Sequence, residues 1–387
     1  MGTTNNAARG PGLDILRDGL APHQVIQDQV ADEQHQDPST PVEQPGLTEI
    51  VDPPPDTDPE LQPEAVTEES AAMELEPPAN AGALTASLRA LGDLPEATGW
   101  RKVLGLGPSK TQLQAAERKA RLLVGFPGSM VITAASVKGE AGKTTTMRGI
   151  MAALANARGG GVVMVDMNEV SGTAALRSVV SHDRNVGDIL NNIDYLMGRR
   201  AQLAELEWCM HRQPDSSEWV LACDPEATEL ISQEEFAKLH TVLKRFYSII
   251  GFDTGNTQLL ASWQAACQVA DVYVVPVKWR GDHCVPARNM LEAMLKRDPS
   301  VRDRLIIVGT NTVSNISPLE KKVVVDHFSE LGLPIWETPF DPGLHQQVIR
   351  WNSLKPATQV VFEELAAELL AKATTTTQQK EKGGTGR

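Results

Sequence analysis

One strand–loop–helix segment constrains the fold of this 387-residue chain more than any other part of it. An apolar, β-prone run at 130–135 leads into Lys-Gly-Glu-Ala-Gly-Lys-Thr-Thr at 138–145, and a helical pattern follows at 145–157. A strand, a glycine-punctuated loop that ends in Gly-Lys-Thr and a helix together predict a phosphate-binding loop. Backbone N–H groups and the helix N-terminus attract phosphate in such a loop, while Lys143 adds an ammonium group and the Thr144 hydroxyl can ligate Mg²⁺.

The rest of the chain repeats this alternation of strands and helices. Strands are predicted at 130–135, 161–165, 219–222, 247–252, 272–277, 305–308 and 334–338. Helices are predicted at 145–157, 186–195, 233–245, 261–269, 286–296, 318–331 and 356–373. Nearly continuous apolar strands separated by helices indicate an α/β fold, with a mainly parallel twisted sheet covered by helices on both faces.

Charge and composition divide the chain into four parts. Residues 1–100 hold 19 Asp and Glu against three Arg and no Lys, whereas the rest holds 31 acidic and 33 basic side chains. The first part is also rich in proline and has no aromatic residue before Trp100, so it cannot bury enough apolar surface to fold. We therefore predict a disordered acidic extension over 1–95, a basic connector with a helix over 96–128, the α/β domain over 129–373 and a disordered tail over 374–387.

Membrane and secretory signals are missing from the sequence pattern. No window approaches 18 consecutive apolar residues, the first residues lack the basic and apolar parts of a signal peptide, and the last residues form no basic amphipathic helix. The four cysteines show no paired spacing. We expect a protein of the reducing cytoplasm that has no membrane span.

Two further apolar strands end in carboxylates that belong with the phosphate-binding loop. Asp253 follows the run at 247–252, and Asp166 follows the run at 161–165. Because ligands of parallel sheets bind beyond the carboxyl ends of the strands, both carboxylates should lie at the same edge as the loop. We predict a nucleotide site with Mg²⁺, in which Thr144 and Asp253 hold the metal ion.

The segment from Lys138 to Thr145 resembles the deviant Walker A motif, Lys-Gly-Gly-x-Gly-Lys-Thr, of the MinD/ParA group of ATPases, and the resemblance covers about 129–373. It implies an ATP-dependent homodimer in which Lys138 reaches the phosphates of the other subunit. Lys143 would bind the β- and γ-phosphates of its own nucleotide, and Thr145 the α-phosphate. The residues that the resemblance assigns to catalysis are Lys138, Lys143, Asp166 and Asn168. Those it assigns to nucleotide binding in the loop are Gly139, Glu140, Ala141, Gly142, Lys143, Thr144 and Thr145.

Two later segments resemble the part of this family that contacts the base. Asn311 follows a predicted strand, and an amide there can pair with an adenine edge because it offers both a donor and an acceptor. Pro339 and Asp341 lie in Pro-Phe-Asp-Pro, which resembles the loop beside the base.

Several short phrases resemble one subgroup, the MinD-like ATPases linked to type VII secretion (EspI-like). Examples are Gly-Trp-Arg at 99–101, Asp-Thr-Gly at 253–255 and Leu-Lys-Pro-Ala-Thr at 354–358. This resemblance implies a secretion component as the partner, docked by the acidic extension. The alternative is a partitioning ATPase that binds DNA non-specifically through basic residues at 101–121 or through Lys321 and Lys322.

Two positions depart from the family pattern. Glu140 stands where the motif has its second glycine, so its backbone is strained if φ is positive, and its charge lies near the phosphates. Asn168 stands where the family usually has a second aspartate that helps to position the attacking water. A neutral amide cannot act as a base, so we predict ATP binding with slow hydrolysis.

Overall fold

The computed structural model describes residues 98, 107–169 and 172–384, with side chains up to residue 376. The extension predicted over 1–95 lies outside the described residues, as do Arg101 and Lys102 of the basic connector.

The described part alternates helices and strands. The helices are α1 (Lys110–Leu122), α2 (Lys143–Arg158), α3 (Val186–Asn191), α4 (Ile193–Met197), α5 (Leu203–Glu207), α6 (Gln233–Phe246), α7 (Ala261–Val269), α8 (Gly281–Arg297), α9 (Pro318–Ser329) and α10 (Pro356–Gly384). The strands are β1 (Met130–Ala134), β2 (Val162–Met167), β3 (His211–Arg212), β4 (Trp219–Leu221), β5 (Ile249–Thr254), β6 (Val272–Lys278), β7 (Leu305–Thr310) and β8 (Ile335–Thr338). Short 3₁₀ turns lie at Pro299–Arg304, Pro342–His345 and Trp351–Ser353.

One sheet of eight strands organises the fold, in the order β3-β4-β2-β5-β1-β6-β7-β8. Every neighbouring pair is parallel except β3–β4, which is antiparallel. The predicted fold class is confirmed. The order places β1, which precedes the phosphate-binding loop, between β5 and β6 in the middle of the sheet.

Each central strand buries both of its faces. Along β1, Met130 and Ile132 pack into a core with α2 and α10, whereas Val131 points to the opposite face, under α3 to α7. The outer part of that second face, along β6 and β7, is covered by α8 and α9. This alternation at period two explains why the strands read as unbroken apolar runs.

The basic helix α1 packs on the edge of the domain against α10. Ser109 and Gln112 form a capping box at its N-terminus. Arg118 Nε donates to Glu363 at 2.6 Å, and Arg121 Nη1 donates to Glu364 at 2.7 Å. Arg118 and Arg121 of α1 therefore pair with acidic residues of α10.

Three predicted boundaries need correction. The helix predicted at 186–195 is two helices because the chain bends at Asn192, where φ is −112°. The helix predicted at 286–296 begins at Gly281, because the carbonyl of Arg280 accepts from the N–H groups of His283 and Cys284 and so starts a turn ahead of Pro286.

The helix predicted to end at Ala373 continues to Gly384, past residue 374 where the tail was predicted to begin. Thr374, Thr375 and Thr376 each donate a hydroxyl hydrogen bond to the carbonyl four residues earlier, which fits them into the helix.

None of the helices in the described part is long and apolar enough to cross a bilayer.

Candidate functional site

A cavity of about 530 Å³ opens at the carboxyl ends of the central strands. Its floor is the phosphate-binding loop and the first turn of α2, residues 139–146. The remaining walls come from the loops after β2, β5 and β7, from the end of β6 and from the segment around Leu344 and His345. This volume is in the range of small-molecule sites, and its position is the one expected for a ligand of a parallel sheet.

The loop leaves the N-terminus of α2 open toward the cavity. Gly142 has φ 90°, and a Cβ there would lie 3.0 Å from Thr310 Cγ2, so the position requires glycine. No side chain caps the helix. Lys143 Nζ donates to Asn256 Oδ1, and burial lowers the pKa of Lys143 although Asp253 and Asp166 act in the opposite direction. The floor thus presents free helix N–H groups beside a buried ammonium, as a bound phosphate requires.

Two carboxylates stand side by side below the loop. Asp166 and Asp253 are direct register partners on β2 and β5, and both are buried. Burial, followed by the charge of Asp166, raises the pKa of Asp253 to about 7. The predicted meeting of both strand ends at this edge is therefore observed.

Thr144 and Asp253 form an arrangement that fits a hard cation. Thr144 Oγ1 donates to Asp253 Oδ2 at 2.6 Å, while the buried Oδ1 of Asp253 has no hydrogen-bond partner. No cluster of three His, Cys, Asp or Glu in the described residues could hold a metal ion by itself. Mg²⁺ commonly takes one or two protein oxygens and completes its shell with water and phosphate, so these two side chains suit it.

Of the two predicted catalytic residues at the end of β2, only one lines the cavity. Asp166 accepts hydrogen bonds from the backbone N–H groups of Asn168 and Ala174, both at 3.0 Å, and burial raises its pKa. It shapes the loop after β2 and lies behind the cavity wall, whereas Asn168 lies in the wall itself.

The residues predicted to contact the base are placed less favourably. Asn311 lies in the cavity wall, but its amide already accepts from Trp279 Nε1 and donates to Glu337 Oε1, both at 2.6 Å. Pro339 and Asp341 are not among the wall residues. Asp341 is buried and accepts from the N–H groups of Gly343 and Lys355, so it holds the segment that places Leu344 and His345 in the wall.

Lys138 and Glu140 lie on the outer rim of the loop. The side chain of Lys138 is exposed and is not part of the cavity wall, which leaves it accessible to a second molecule. Glu140 has φ 59°, the strained alternative considered for this position, and its side chain extends outward with 88% exposure.

Asn256, Arg177 and Lys278 are among the wall residues that were not predicted from the sequence. Asn256 follows the strand-end Asp253 by three residues and accepts from Lys143. Arg177 Nη2 donates to the carbonyl of Leu344 at 2.8 Å and so ties the loop after β2 to the far wall. A cation at the end of an apolar strand is the signal that could have indicated Lys278.

Four of the cations proposed for DNA contact are engaged within the described residues. Arg118 and Arg121 pair with glutamates of α10, Lys321 pairs with Glu337 at 2.5 Å and Lys322 pairs with Asp326 at 2.7 Å.

No protein-family model matches the chain, and no curated protein matches it. Among solved structures, a ParA family ATPase from Chlorobium tepidum TLS is 18% identical, with a TM-score of 0.49, and the match covers 62% of this chain and 98% of that one. The cell division ATPase MinD of Pyrococcus furiosus is 16% identical with a TM-score of 0.44, covering 62% and 98%. The MinC:MinD complex of Aquifex aeolicus is matched at 19% identity and a TM-score of 0.45, covering 63% and 96%. Likenesses at this level carry no argument about function. The fold class follows from the observed order and direction of the strands.

Proposed function

We propose that this chain is a cytoplasmic ATPase of the MinD/ParA type, which binds ATP with Mg²⁺, hydrolyses it slowly and works as a switch. The observation that carries the proposal is the meeting of Lys143, Thr144 and the unpartnered carboxylate oxygen of Asp253 at the floor of one cavity. A phosphate chain needs cationic and N–H donors, and its metal ion needs hard oxygens, and the floor supplies both.

The chain's own residues divide the work between binding and positioning. The N–H groups of the loop and of α2 hold the phosphates, and Lys143 neutralises their charge; bound Mg²⁺ would add further charge stabilisation. Asn168, in the wall, orients water without accepting a proton from it. Slow turnover is therefore the expected property of the isolated protein.

The switch consists of ATP-dependent homodimerisation. Support comes from the exposed Lys138 beside the loop, which matches the lysine that crosses to the other subunit in the family that the motif resembles. We assign the acidic extension to a protein partner, and the phrases shared with type VII-linked ATPases favour a secretion component.

Titration of the full chain with Mg·ATP in a calorimeter tests the nucleotide site. Wild-type protein should bind, and Lys143→Ala should lose binding because a buried ammonium and its phosphate contact are removed together. Lys322→Ala removes an exposed lysine outside the cavity wall and serves as the matched control. Equal affinity in Lys143→Ala and wild type would refute the proposed site.

A further inference from the structure

Glu140 places a negative charge in the phosphate-binding loop, at the rim of the cavity. It is one of two non-glycine residues with positive φ in the described chain, and the other, Ser217, lies away from the cavity wall. Such a conformation is strained for a residue with a side chain and is relaxed for glycine. The exposed side chain of Glu140 extends outward from the loop, and its residue lines the cavity that would hold the phosphates.

The carboxylate has a specific partner across the loop. Lys278 Nζ donates to Glu140 Oε2 at 3.5 Å. Lys278 ends β6, the strand next to β1, and its register partner is Thr310 at the end of β7. Its side chain is only 18% exposed and lines the cavity, as does Glu140, so the pair sits at the cavity rim.

We propose that Glu140 competes with the nucleotide phosphates for Lys278. Without nucleotide, the carboxylate of Glu140 pairs with the ammonium group of Lys278. A bound phosphate displaces the carboxylate and forms the ion pair with Lys278 in its place. Glu140 thus weakens nucleotide binding through Lys278, in addition to any direct repulsion. This inference rests on the proposed function and adds Lys278 to the phosphate contacts.

A double-mutant cycle on the full chain tests the competition, with the dissociation constants of Mg·ATP and Mg·ADP measured by calorimetry. Glu140→Gln removes the charge at nearly constant size and should tighten both nucleotides about two- to fivefold, the equivalent of one exposed ion pair. Lys278→Gln should weaken both about tenfold, because a charged hydrogen bond to phosphate is lost. In the Lys278→Gln background, Glu140→Gln should have a clearly smaller effect than in wild type.

The sign of the coupling separates competition from simple repulsion. If Glu140 only repels the phosphates and Lys278 only screens that repulsion, Glu140→Gln will have a larger effect once Lys278 is gone, and the inference is overturned. Independent effects overturn it as well. An effect on ATP without any effect on ADP would place Glu140 at the dimer interface instead, and would also reject the competition.

Two further variants separate charge from backbone strain and from general charge effects. Glu140→Gly relieves the positive φ, so it should raise the melting temperature, which Glu140→Gln should not. Tighter binding in the glycine variant alone would assign the effect to strain and contradict the inference.

Asp326→Asn breaks the exposed pair with Lys322 on α9 and should leave both dissociation constants unchanged. If wild-type protein binds neither nucleotide, the proposed function fails as well; if it binds and the cycle shows no coupling, only the competition fails.

Discussion

Single residues are expected to set the rate at which the proposed ATPase hydrolyses its nucleotide. Asn168 lies in the cavity wall where a second carboxylate would be expected, and its backbone N–H is held by Asp166 at 3.0 Å. The position is thus fixed by the loop after β2, whereas the chemistry of the side chain is free to differ. An amide at this place orients water but does not take up its proton.

Replacing Asn168 by Asp should raise the rate of ATP hydrolysis at saturating nucleotide by about tenfold or more, because a carboxylate can assist proton transfer. The measurement is steady-state phosphate release by the full chain, with Asn168→Ala as the control for the loss of the amide. An unchanged rate in Asn168→Asp, with nucleotide binding intact, would show that this position does not take part in hydrolysis.

Another single residue links stability to pH. His240 of α6 is half-buried between the rings of Phe236 and Phe252, at centroid distances of 6.2 and 6.1 Å. Burial, with a smaller contribution from Lys244, lowers the pKa of His240 to about 4. The unfolded state, with an ordinary histidine, therefore binds the proton first, and folding stability falls as the pH decreases from about 6.5 toward 4.

His240→Phe should remove this contribution to the acid loss of stability. The difference in melting temperature between His240→Phe and wild type should be small at pH 7.5 and should grow in favour of the variant at pH 5. A difference that stays constant across this range would show that His240 does not titrate in the way its burial indicates.

Local spacing predicted the residues that sit on the loop and at strand ends, but not those brought in by longer loops. Lys143, Thr144 and Asp253 follow from the motif and from one strand, and they meet as expected. Arg177 reaches the cavity because of the path of the loop after β2, which no local pattern encodes. Lys278 lies at the end of β6, where a cation after an apolar run is a local signal that could have indicated it. The amide of Asn311 has the right place but is engaged by Trp279 and Glu337, two contacts that the sequence could not show.

At the scale of elements, the docking of α1 on α10 joins the basic connector to the domain. Arg118 and Glu363 are 14% and 24% exposed, and their 2.6 Å contact is accompanied by the pair of Arg121 with Glu364. Such partly covered pairs contribute modestly, on the order of 1 kcal/mol. They fix which faces of the two helices meet.

Arg118→Glu should lower the free energy of unfolding by about 1 kcal/mol, since it places a third acidic group against Glu363 and Glu364. The exchanged pair Arg118→Glu/Glu363→Arg should recover most of this loss. Urea unfolding followed by circular dichroism measures both. A double variant no more stable than the single one would mean that these side chains do not face each other.

Hydrophobic periodicity predicted the order of strands and helices, and it failed where a polar interaction sets a boundary. The two-residue strand β3 is too short to leave a pattern, and α8 begins before the proline that marked its predicted start.

The buried pair of Arg148 in α2 with Glu218, at 2.6 Å, joins positions that are far apart along the chain. Charged residues there are expected on the surface from sequence alone, and only the fold shows that they satisfy each other.

For the molecule as a whole, we expect the nucleotide state to set the oligomeric state. The cavity is built within one chain, whereas Lys138 projects from its rim into solvent. A lysine in that position can reach a phosphate of a second molecule facing the first. Slow hydrolysis would then keep the dimer assembled long enough to engage a partner.

The molar mass of the full chain, measured by light scattering after gel filtration, shows whether ATP drives dimerisation. Wild-type protein should double its mass in Mg·ATP and remain monomeric in Mg·ADP. Lys138→Ala should stay monomeric in both while still binding ATP, and Lys322→Ala should behave as wild type. A mass that does not depend on the nucleotide, or a Lys138→Ala variant that dimerises with ATP as wild type does, would contradict the account.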